Sequence, residues 1–517
     1  MAGQPLSARR RVVTLTAMCV AQGMILLDNT IVNVALPSIQ RELDVNPGNL
    51  IWVVNAYVLA LASLIMVGGT LGDRYGRKRV FLVGLAIFTA MSAACALSTD
   101  ESALIAARAA QGVGAALVAP LSLSILADAY PPERRTAAIG IWAAAAGLGF
   151  GAGPVVGGIL VELFSWSAVF WVNVPIGIIG LVLVISGVRE SRNPDARRLD
   201  IGGAVLVASG LCVLTFAIVE SEHFGWTSPT MIVLLTTAGV LLVSFLVVES
   251  RVREPMVPLG LFRDSRFTVS CAVYAIMYLA LASTFFYVTL FLQNVEGWSA
   301  LEVGLSWLIM NTPFLIASML AGRLAGWIGT ETCWLGVLLG GLGVLALAFL
   351  TPGAGVLAAS PGYVLIGAGY GMAVPTISSV AVSALPLEHS GLASGVLNSA
   401  RQVGTAVGLA ALGSIGLAVT RSSWAGRSAQ LPTSAQAGAP DIVQNVSGGQ
   451  GGVVAQQLGR AAQPLADSAF VDGLHVALLI GGGLMLVAAA IAFVVLRRPA
   501  LTAATADGAM LARGAAD

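Results

Sequence analysis

An aspartate and an arginine lie deep inside two otherwise apolar stretches of this sequence. Asp28 interrupts an apolar run near the start of the chain, and Arg108 interrupts another. A buried carboxylate is costly unless it is paired, protonated or faces a water-filled cavity. Such a carboxylate can exchange a proton with whichever cavity reaches it, which is chemistry suited to ion coupling. The simpler alternative is structural: Asp28 fixes its own helix by hydrogen bonds, and Arg108 extends to the nearest polar surface.

The overall composition requires that lipid surrounds most of the chain. Hydrophobic residues make up 57% of the 517 residues, charged residues make up 10%, and the mean hydropathy is +0.87. Soluble chains carry about 25% charged residues, so this chain cannot cover a water-facing surface of that area. Its net charge of +1 gives no bulk positive field, so no nucleic-acid partner is expected.

Many stretches are long and apolar enough to cross a bilayer, which takes roughly 20 residues for each helix. We predict an all-α integral membrane protein with fourteen transmembrane helices, numbered helix 1 to helix 14 along the chain. The approximate ranges are 12–36, 50–71, 80–98, 102–125, 136–161, 168–187, 201–220, 230–249, 267–292, 303–328, 332–351, 356–379, 396–419 and 472–496.

The distribution of basic residues predicts the orientation. An even number of spans puts both termini on one side, and the segments on that side carry 21 of the 27 Lys and Arg residues, against 4 on the other. Because Lys and Arg accumulate in cytoplasmic loops, both termini are predicted to be cytoplasmic, in the cytoplasmic membrane of a bacterium. The segment 421–470 then lies outside. Its Gly-, Ala-, Gln- and Ser-rich composition favours a flexible linker, with a small extracytoplasmic lid as the alternative.

An internal repeat relates the two halves of the chain at an offset of 255 residues. The pattern predicts two parallel six-helix bundles, helices 1–6 and 9–14, with helices 7 and 8 inserted between them. Glycines and prolines of helices 4 and 5 recur in helices 12 and 13: Gly112, Gly114, Pro120, Gly149 and Gly153 recur as Gly367, Gly369, Pro375, Gly404 and Gly408. The predicted divisions are 1–190, 191–262, 263–500 with the outside loop 421–470, and a cytoplasmic tail 501–517.

Five motifs in order carry a family resemblance. With them the chain resembles the major facilitator superfamily, in its fourteen-helix drug:proton antiporter branch, over essentially its whole length. The motifs are LDNTIVNVALP (Leu27 to Pro37), GTLGDRYGRKR (Gly69 to Arg79), RAAQGVGAA (Arg108 to Ala116), GLGFGAGPVVGG (Gly147 to Gly158) and NSARQVG (Asn398 to Gly404).

The resemblance and the depths of the charged residues together favour proton coupling by Asp28 and Arg108. At a rise of 1.5 Å per residue, they lie roughly 12 Å and 9 Å from the same outer face, so they are expected to pair. Arg401 lies about five residues inside its predicted span, where packing or contact with the headgroups is as plausible as function. The other candidates from these motifs are Gln111, Gly112 and Gln402.

Two further motifs predict gates. A carboxylate can cap the positive N-terminus of a helix, so Asp73 is expected to latch onto helix 13 at Ser390 to Gly395 and close the cytoplasmic side. Small residues let helices approach closely, and proline permits a kink, so the glycine-rich motif of helix 5 is expected to seal the outside. For the charged loop, the alternative is that its basic residues only set the membrane topology. For the glycine-rich motif, the alternative is that its small residues only allow generic close packing. The gate residues are Asp73, Arg74, Gly76, Arg77, Lys78 and Arg79 inside, and Gly149, Gly151, Gly153, Pro154, Gly157 and Gly158 outside.

Aromatic and polar groups in the spans are candidates for a central cavity, where amphipathic rings suit planar, apolar and often cationic ligands. Packing in the core or at the membrane interface is the alternative for each. These candidates are Tyr57, Trp142, Tyr274, Tyr278, Trp307 and Asn311. Glu220 and Glu222 end helix 7 and are expected in a solvated loop, with Glu220 as the second candidate for a proton carrier.

The predicted function is export of small amphipathic drugs or antibiotics in exchange for protons, by a monomer that is a secondary transporter and not an enzyme. The sequence has no GxxxxGK[ST] loop, so no cofactor is expected and the energy must come from a gradient, which the resemblance implies is the proton gradient. Scattered cysteines and histidines predict no metal site. The alternatives are a lipid, glycolipid or metabolite exporter of the same fold, a symporter or importer, and a membrane-embedded enzyme.

Overall fold

The computed structural model describes residues 7–192, 200–225, 227–252, 255, 257–385 and 390–496. The predicted tail 501–517 lies outside these residues. In the described part of the chain, all regular structure is helical, and thirteen helices are long and apolar enough to span a membrane, with Glu331–Leu347 as a shorter apolar helix. The prediction of an all-α membrane protein with fourteen spans in two bundles is confirmed.

The fourteen helices keep their predicted order. Helix 6 is interrupted at Val172 and helix 10 at Trp307, and a π-helical turn, Phe291–Val295, continues helix 9. The bounds of helices 1–14 are Ala8–Glu42, Pro47–Tyr75, Arg77–Ala96, Glu101–Ala129, Pro132–Leu163, Ala168–Trp171 with Asn173–Gly187, Ile201–Val219, Pro229–Arg251, Ser265–Leu290, Ala300–Ser306 with Leu308–Ile328, Glu331–Leu347, Gly355–Ser383, Ser390–Ser428 and Gln463–Leu496.

Polar side chains fix the starts of several helices. The carboxylate of Asp100 accepts a hydrogen bond from the backbone N–H of Ala103 at the start of helix 4. Ser299 and Glu302 form a reciprocal capping box at the start of helix 10. These groups satisfy backbone donors that have no partner within the helix, so each helix begins at a defined residue.

The two halves repeat the same packing pairs. Helix 1 packs on helix 5, and helices 2 and 3 pack on helix 4; in the second half, helix 9 packs on helix 13, and helices 10 and 11 pack on helix 12. Matched glycines permit this. A Cβ atom at Gly112 would lie 2.4 Å from the carbonyl oxygen of Tyr57, and one at Gly367 would lie 2.0 Å from that of Met310. The backbones therefore approach too closely for any larger residue at these positions.

Helices 7 and 8 pack on each other, and helix 7 also contacts helices 2 and 13. The halves meet directly through helix 1 with helix 9, helix 2 with helix 13, and helix 5 with the first segment of helix 10. Helix 1 begins and helix 14 ends at one end of the bundle, which we name the termini end. The opposite end, which carries residues 429–462, is named the loop end.

Residues 429–462 form a folded cap, so the predicted flexible linker is wrong. Three short helices, Thr433–Gln436, Val443–Ser447 and Gly451–Leu458, lie between helices 13 and 14. Spaced apolar residues of the cap and of the adjoining ends of helices 13 and 14 build a separate small core, which the low average hydrophobicity of the segment conceals. These residues are Trp424, Leu431, Ala439, Ile442, Val446, Val454, Ala462, Ala466 and Ala469. The indole N–H of Trp424 donates to the carbonyl oxygen of Ala439 at 2.9 Å, which ties helix 13 to the cap.

Candidate functional site

Asp28 and Arg108 form a buried ion pair between helices 1 and 4. Nη1 of Arg108 lies 2.7 Å from Oδ2 of Asp28, and the two side chains are 1% and 0% exposed. The expected pairing at a common depth is therefore present in the structure. An ion pair without access to water is stable only when further hydrogen bonds satisfy the remaining polar atoms, and the surrounding helices supply them.

Three donors converge on the Asp28 carboxylate. Besides Arg108, Nε2 of Gln111 donates to Oδ1 at 3.0 Å and Nδ2 of Asn173 donates to the same atom at 2.8 Å. Oγ of Ser92 accepts from both amides, at 3.3 Å and 3.1 Å. Every one of these partners of Asp28 is a hydrogen-bond donor, so the network satisfies the acceptor atoms of the buried carboxylate. Asn173 and Ser92 were missed by the sequence interpretation.

Arg108 is held from its other side by helix 2. Its Nε donates to the carbonyl oxygen of Val53 at 3.1 Å, and its Cζ lies 4.3 Å from the centre of the Tyr57 ring. Tyr57 is fully buried. In this structure the Tyr57 ring stacks on the guanidinium inside the first bundle and is not among the described lining residues of the cavity between the halves. Its role as a cavity residue stays a prediction.

The glycine motif of helix 5 forms a close seam with helix 1. A Cβ atom at Gly149 would lie 2.3 Å from the carbonyl oxygen of Gly23, and one at Gly153 would lie 1.9 Å from Oγ1 of Thr30. Pro154 has no N–H to donate to the carbonyl of Phe150 four residues earlier. The Thr30 hydroxyl donates to that oxygen instead, at 3.0 Å.

The other side of the same motif joins the two halves. A Cβ atom at Gly158 would lie 2.6 Å from the carbonyl oxygen of Ala300, and one at Gly304 would lie 2.3 Å from that of Pro154. Nδ2 of Asn311 donates to the carbonyl oxygen of Gly151 at 3.0 Å. Asn311, predicted to line the cavity, instead makes a contact between helix 10 and helix 5. Gly157 packs against Ile31 of helix 1.

Helix 9 closes the loop end against helix 1. Nε2 of Gln293 donates to the carbonyl oxygen of Val34 at 2.8 Å, and Gln293 is buried. Nδ2 of Asn294 donates to Gln40 at 3.3 Å and to the carbonyl oxygen of Gly448 in the cap at 2.8 Å. One side chain of the second half therefore binds both the first half and the cap.

At the termini end, the charged loop after helix 2 binds its own half. Nε of Arg77 donates to Oδ1 of Asp73 at 2.7 Å, and Arg77 also pairs with Asp128 at the end of helix 4. Arg74 is exposed. The predicted contact of Asp73 with Ser390 to Gly395 is not among the contacts of the described side chains, and several side chains of that segment are not described. The latch stays a prediction for another conformation.

Glu190 caps the start of helix 3 at this loop, a contact that the sequence interpretation did not include. Its carboxylate accepts from the backbone N–H groups of Lys78 and Arg79 at 3.0 Å and 3.2 Å, at the start of helix 3. Gly76 has a φ of +113°, and a Cβ atom there would lie 2.7 Å from the Glu190 carboxylate. Glycine at this position is therefore required by both the backbone conformation and the space.

A cavity lies between the halves, next to the ion pair. Tyr278 of helix 9 lines it, as predicted, and so do Arg401 and Gln402 of helix 13. The remaining lining residues are Asn29, Thr30, Asn33, Val54, Phe150, Leu281, Ala282, Phe285, Thr405 and Leu409. Asn29, Thr30 and Asn33 belong to the helix that carries Asp28, so a movement of helix 1 changes both the cavity and the ion pair.

The other predicted cavity aromatics lie outside this lining. Trp307 is fully buried against Phe285 and Tyr363, with ring centres 4.2 Å and 5.0 Å away. Tyr274 packs beside Tyr278 at 5.2 Å, and Trp142 of helix 5 is partly buried. Residue type marked these side chains correctly as membrane-embedded, but only the helix rotation decides which side chains face the cavity.

Glu220 lies away from this site. It ends helix 7 and lines a separate loop-end pocket with Arg421 and Asp441. The five cysteines are free, and among the residues that the structure describes no group of three His, Cys, Asp or Glu side chains lies close enough to hold a metal ion.

The sequence is similar to known resistance and export proteins. It is 37% identical over 488 residues to the multidrug resistance protein Stp of Mycobacterium tuberculosis (strain CDC 1551 / Oshkosh). The alignment covers 91% of this chain and 89% of that protein. It is 33% identical over 490 residues to the tetracenomycin C resistance and export protein of Streptomyces glaucescens. That alignment covers 93% of this chain and 90% of the relative.

The fold is similar to solved transporter structures. The inward-facing, unoccupied crystal structure of a bacterial homologue of the human lysosomal transporter Spinster aligns with a TM-score of 0.64 over 95% of this chain and 98% of that chain, at 19% identity. At that identity the likeness shows the fold alone. The profile described as Major Facilitator Superfamily matches residues 18–409. The chain therefore belongs to the Major Facilitator Superfamily.

Proposed function

We propose that this protein exports small amphipathic drugs or antibiotics across the bacterial cytoplasmic membrane in exchange for protons. Relatives that match most of the chain are named for multidrug resistance and for antibiotic resistance and export. The proton role is supported by the buried ion pair of Asp28 and Arg108. Asp28 lies on helix 1, which also lines the cavity. An intramembrane carboxylate in this setting is the natural proton carrier.

Coupling follows from what protonation does to the Asp28 network. The charged carboxylate accepts from Arg108, Gln111 and Asn173. A proton on Asp28 removes the attraction to Arg108 and replaces one acceptor position by a donor. The network then loses bonds between helix 1 and helices 4 and 6, so helix 1 is free to move relative to them. Movement of helix 1 changes the cavity wall formed by Asn29 and Asn33.

Alternating access is supported by the unequal closure of the two ends. In the described part of the chain, hydrogen bonds join the halves at the loop end, through Gln293 and Asn294, and at the level of Gly151. At the termini end, Arg77 binds Asp73 and Asp128 within the first half. This arrangement corresponds to a cavity closed toward the loop end, and the opposite state requires the loop-end contacts to break.

The termini end is proposed to face the cytoplasm, because the basic residues concentrate there. Single cysteines at Ser422→Cys and Ala506→Cys in a cysteine-free chain test this with an impermeant thiol reagent. In intact cells the position 422 variant should be labelled and the position 506 variant should not. Labelling of position 506 alone would reverse the orientation.

The transport cycle is tested in proteoliposomes with an imposed pH gradient. One proton moving through 100 mV supplies about 2.3 kcal/mol, enough for several-tenfold accumulation of a neutral solute. An effluxed compound should accumulate in the acidic compartment, and a protonophore should abolish the accumulation. Accumulation that persists with the protonophore, or a compound that follows the protons in the same direction, would overturn antiport.

A further inference from the structure

Among the described residues that line the cavity between the halves, one side chain is charged, the guanidinium of Arg401. Helix 13 begins at Ser390, eleven residues earlier, so Arg401 lies about 17 Å along the helix axis from that start. The helix begins before the predicted apolar span 396–419, so Arg401 keeps its predicted position about five residues inside that span. A charged group inside a membrane span needs a partner.

Arg401 has few partners within the described part of the chain. Its Nε donates to Oδ1 of Asn398 at 3.0 Å, and its Cζ lies 5.3 Å from the centre of the Tyr278 ring. None of the described ion pairs includes Arg401, so no described carboxylate lies within 4.0 Å of it. The guanidinium carries five N–H donors, which leaves most of them available for a bound molecule.

Gln402 adds a second, independent donor at the same site. It lines the cavity, is 1% exposed, and its Nε2 has no hydrogen-bond partner. A buried amide nitrogen without an acceptor costs free energy unless a ligand supplies one. Across the cavity, the Asn33 amide nitrogen is already bonded to the carbonyl oxygen of Asn29. On helix 13, the Arg401 guanidinium and the Gln402 amide nitrogen therefore both present donors to the cavity.

The buried carboxylate of helix 1 does not neutralise this positive charge. Asp28 is bound by Arg108 at 2.7 Å inside the first bundle and is fully buried there. That pair carries no net charge, so among the described residues that line the cavity the positive charge of Arg401 is not balanced. Aromatic rings of Phe150, Tyr278 and Phe285 line the same space and suit a flat ring system.

We propose that Arg401 and Gln402 bind a carboxylate or phenolate group of a planar aromatic substrate, whose rings lie against Tyr278 and the neighbouring phenylalanines. The inference rests on the proposed export function and assigns its substrate class. It replaces the expectation of cationic ligands, because a cation in this cavity would meet an uncompensated guanidinium.

The test uses two dyes with the same three-ring scaffold and opposite charge: fluorescein, which carries a carboxylate and a phenolate, and rhodamine 123, which is a cation. Binding to the full chain in lipid nanodiscs is measured by fluorescence anisotropy, with empty nanodiscs subtracted. Fluorescein should bind more tightly than rhodamine 123. Arg401→Gln should weaken fluorescein binding by about tenfold to a hundredfold, since it removes a charge-assisted bond, without weakening rhodamine 123 binding.

Two further variants sharpen the result. Arg401→Lys keeps the charge and should retain part of the fluorescein affinity, and Gln402→Leu should reduce it by about fivefold or more. Arg460→Gln removes an exposed arginine of the cap and should change neither dye. If Arg401→Gln does not elute as a folded protein, the fluorescein affinities of Arg401→Lys and Gln402→Leu decide whether these two residues bind the anionic group. Tighter binding of rhodamine 123, equal losses for both dyes, or no binding of fluorescein to wild type would overturn the proposal.

This measurement separates the substrate class from the transport cycle, because equilibrium binding needs no gradient. Arg401-dependent fluorescein binding without gradient-driven accumulation would uphold the binding site and overturn proton antiport. Gradient-driven export of compounds whose binding is indifferent to Arg401 would uphold the export function and overturn the binding site.

Discussion

Thr30 donates its hydroxyl hydrogen to the carbonyl oxygen of Phe150, and the two oxygens lie 3.0 Å apart. This bond compensates for Pro154, which cannot donate to that carbonyl within helix 5. The proline therefore leaves an acceptor that helix 1 occupies. The helix that carries Asp28 is thereby joined to the helix that contacts helix 10 across the halves.

Thr30→Val should destabilise this joint, because valine keeps the shape and removes the donor. The buried carbonyl of Phe150 would be left without a partner, at a cost of about 1–3 kcal/mol. Thermal unfolding in detergent should show a lower Tm for the valine variant, whereas Thr30→Ser, which retains a hydroxyl, should stay close to wild type. Equal Tm values for Thr30→Val and wild type would show that the bond contributes nothing.

Two glycines of helix 5 form a matched pair for testing the seam with helix 1. A Cβ atom at Gly149 would meet the Gly23 carbonyl oxygen at 2.3 Å, whereas one at Gly147 would meet nothing within 4 Å. Gly149→Ala should cost about 1–3 kcal/mol by overpacking and reduce transport. Gly147→Ala should be neutral or stabilise by up to about 1 kcal/mol, from helix propensity. Similar Tm changes in both variants would rule out the close seam.

Two glycines of helix 10 form a second matched pair, which tests the contact between the two halves. A Cβ atom at Gly304 would meet the Pro154 carbonyl oxygen at 2.3 Å, and Gly322 has open space. Gly304→Ala should disfavour closure of the loop end, with an overpacking cost of about 1–3 kcal/mol, or about a fivefold or greater population shift. The reporter is a single cysteine, Val34→Cys, labelled from the loop end. Gly322→Ala should leave the labelling rate unchanged, and an unchanged rate in Gly304→Ala would contradict the closed interface.

Asn294→Ala should loosen the cap, because it removes the donor to the carbonyl oxygen of Gly448 at 2.8 Å. The variant also loses the bonds of Asn294 with Gln40 and Arg41 on helix 1. Loss of the bond to the cap, worth about 1 kcal/mol, should speed amide hydrogen exchange of residues 443–448 by about fivefold or more. Gln456→Ala alters an exposed side chain of the cap and serves as the control. If exchange in 443–448 is the same in both variants, the cap is not held by helix 9.

The sequence was sufficient for those features that depend on one helix at a time. Apolar length located every span, and the depths of Asp28 and Arg108 predicted their pairing, because both follow from the rise per residue. The small-residue spacing of Gly149 and Gly153 predicted close packing on a neighbouring helix. Boundaries were less accurate: helix 13 continues to Ser428 instead of ending near 419, because the cap covers the turns beyond the predicted span.

Features that depend on how helices are rotated and paired could not be predicted in this way. Asn173 reaches Asp28 from 145 positions along the chain, and nothing in its local sequence distinguishes it from a structural asparagine. Tyr57 and Trp307 share the aromatic character of Tyr278, yet their helices turn them into the core. The cap was concealed because its few apolar residues are spread through a polar segment.

Substrate-induced proton release from reconstituted wild type and Asp28→Asn tests the central claim most directly. Asparagine has nearly the same size and keeps a hydrogen-bonding amide, so the protein should fold, but it cannot release a proton. Adding an exported compound to wild-type proteoliposomes should acidify a weakly buffered medium, and the Asp28→Asn protein should give no such signal while still exchanging the compound downhill. Undiminished proton release from Asp28→Asn would show that another group, with Glu220 the next candidate, carries the proton.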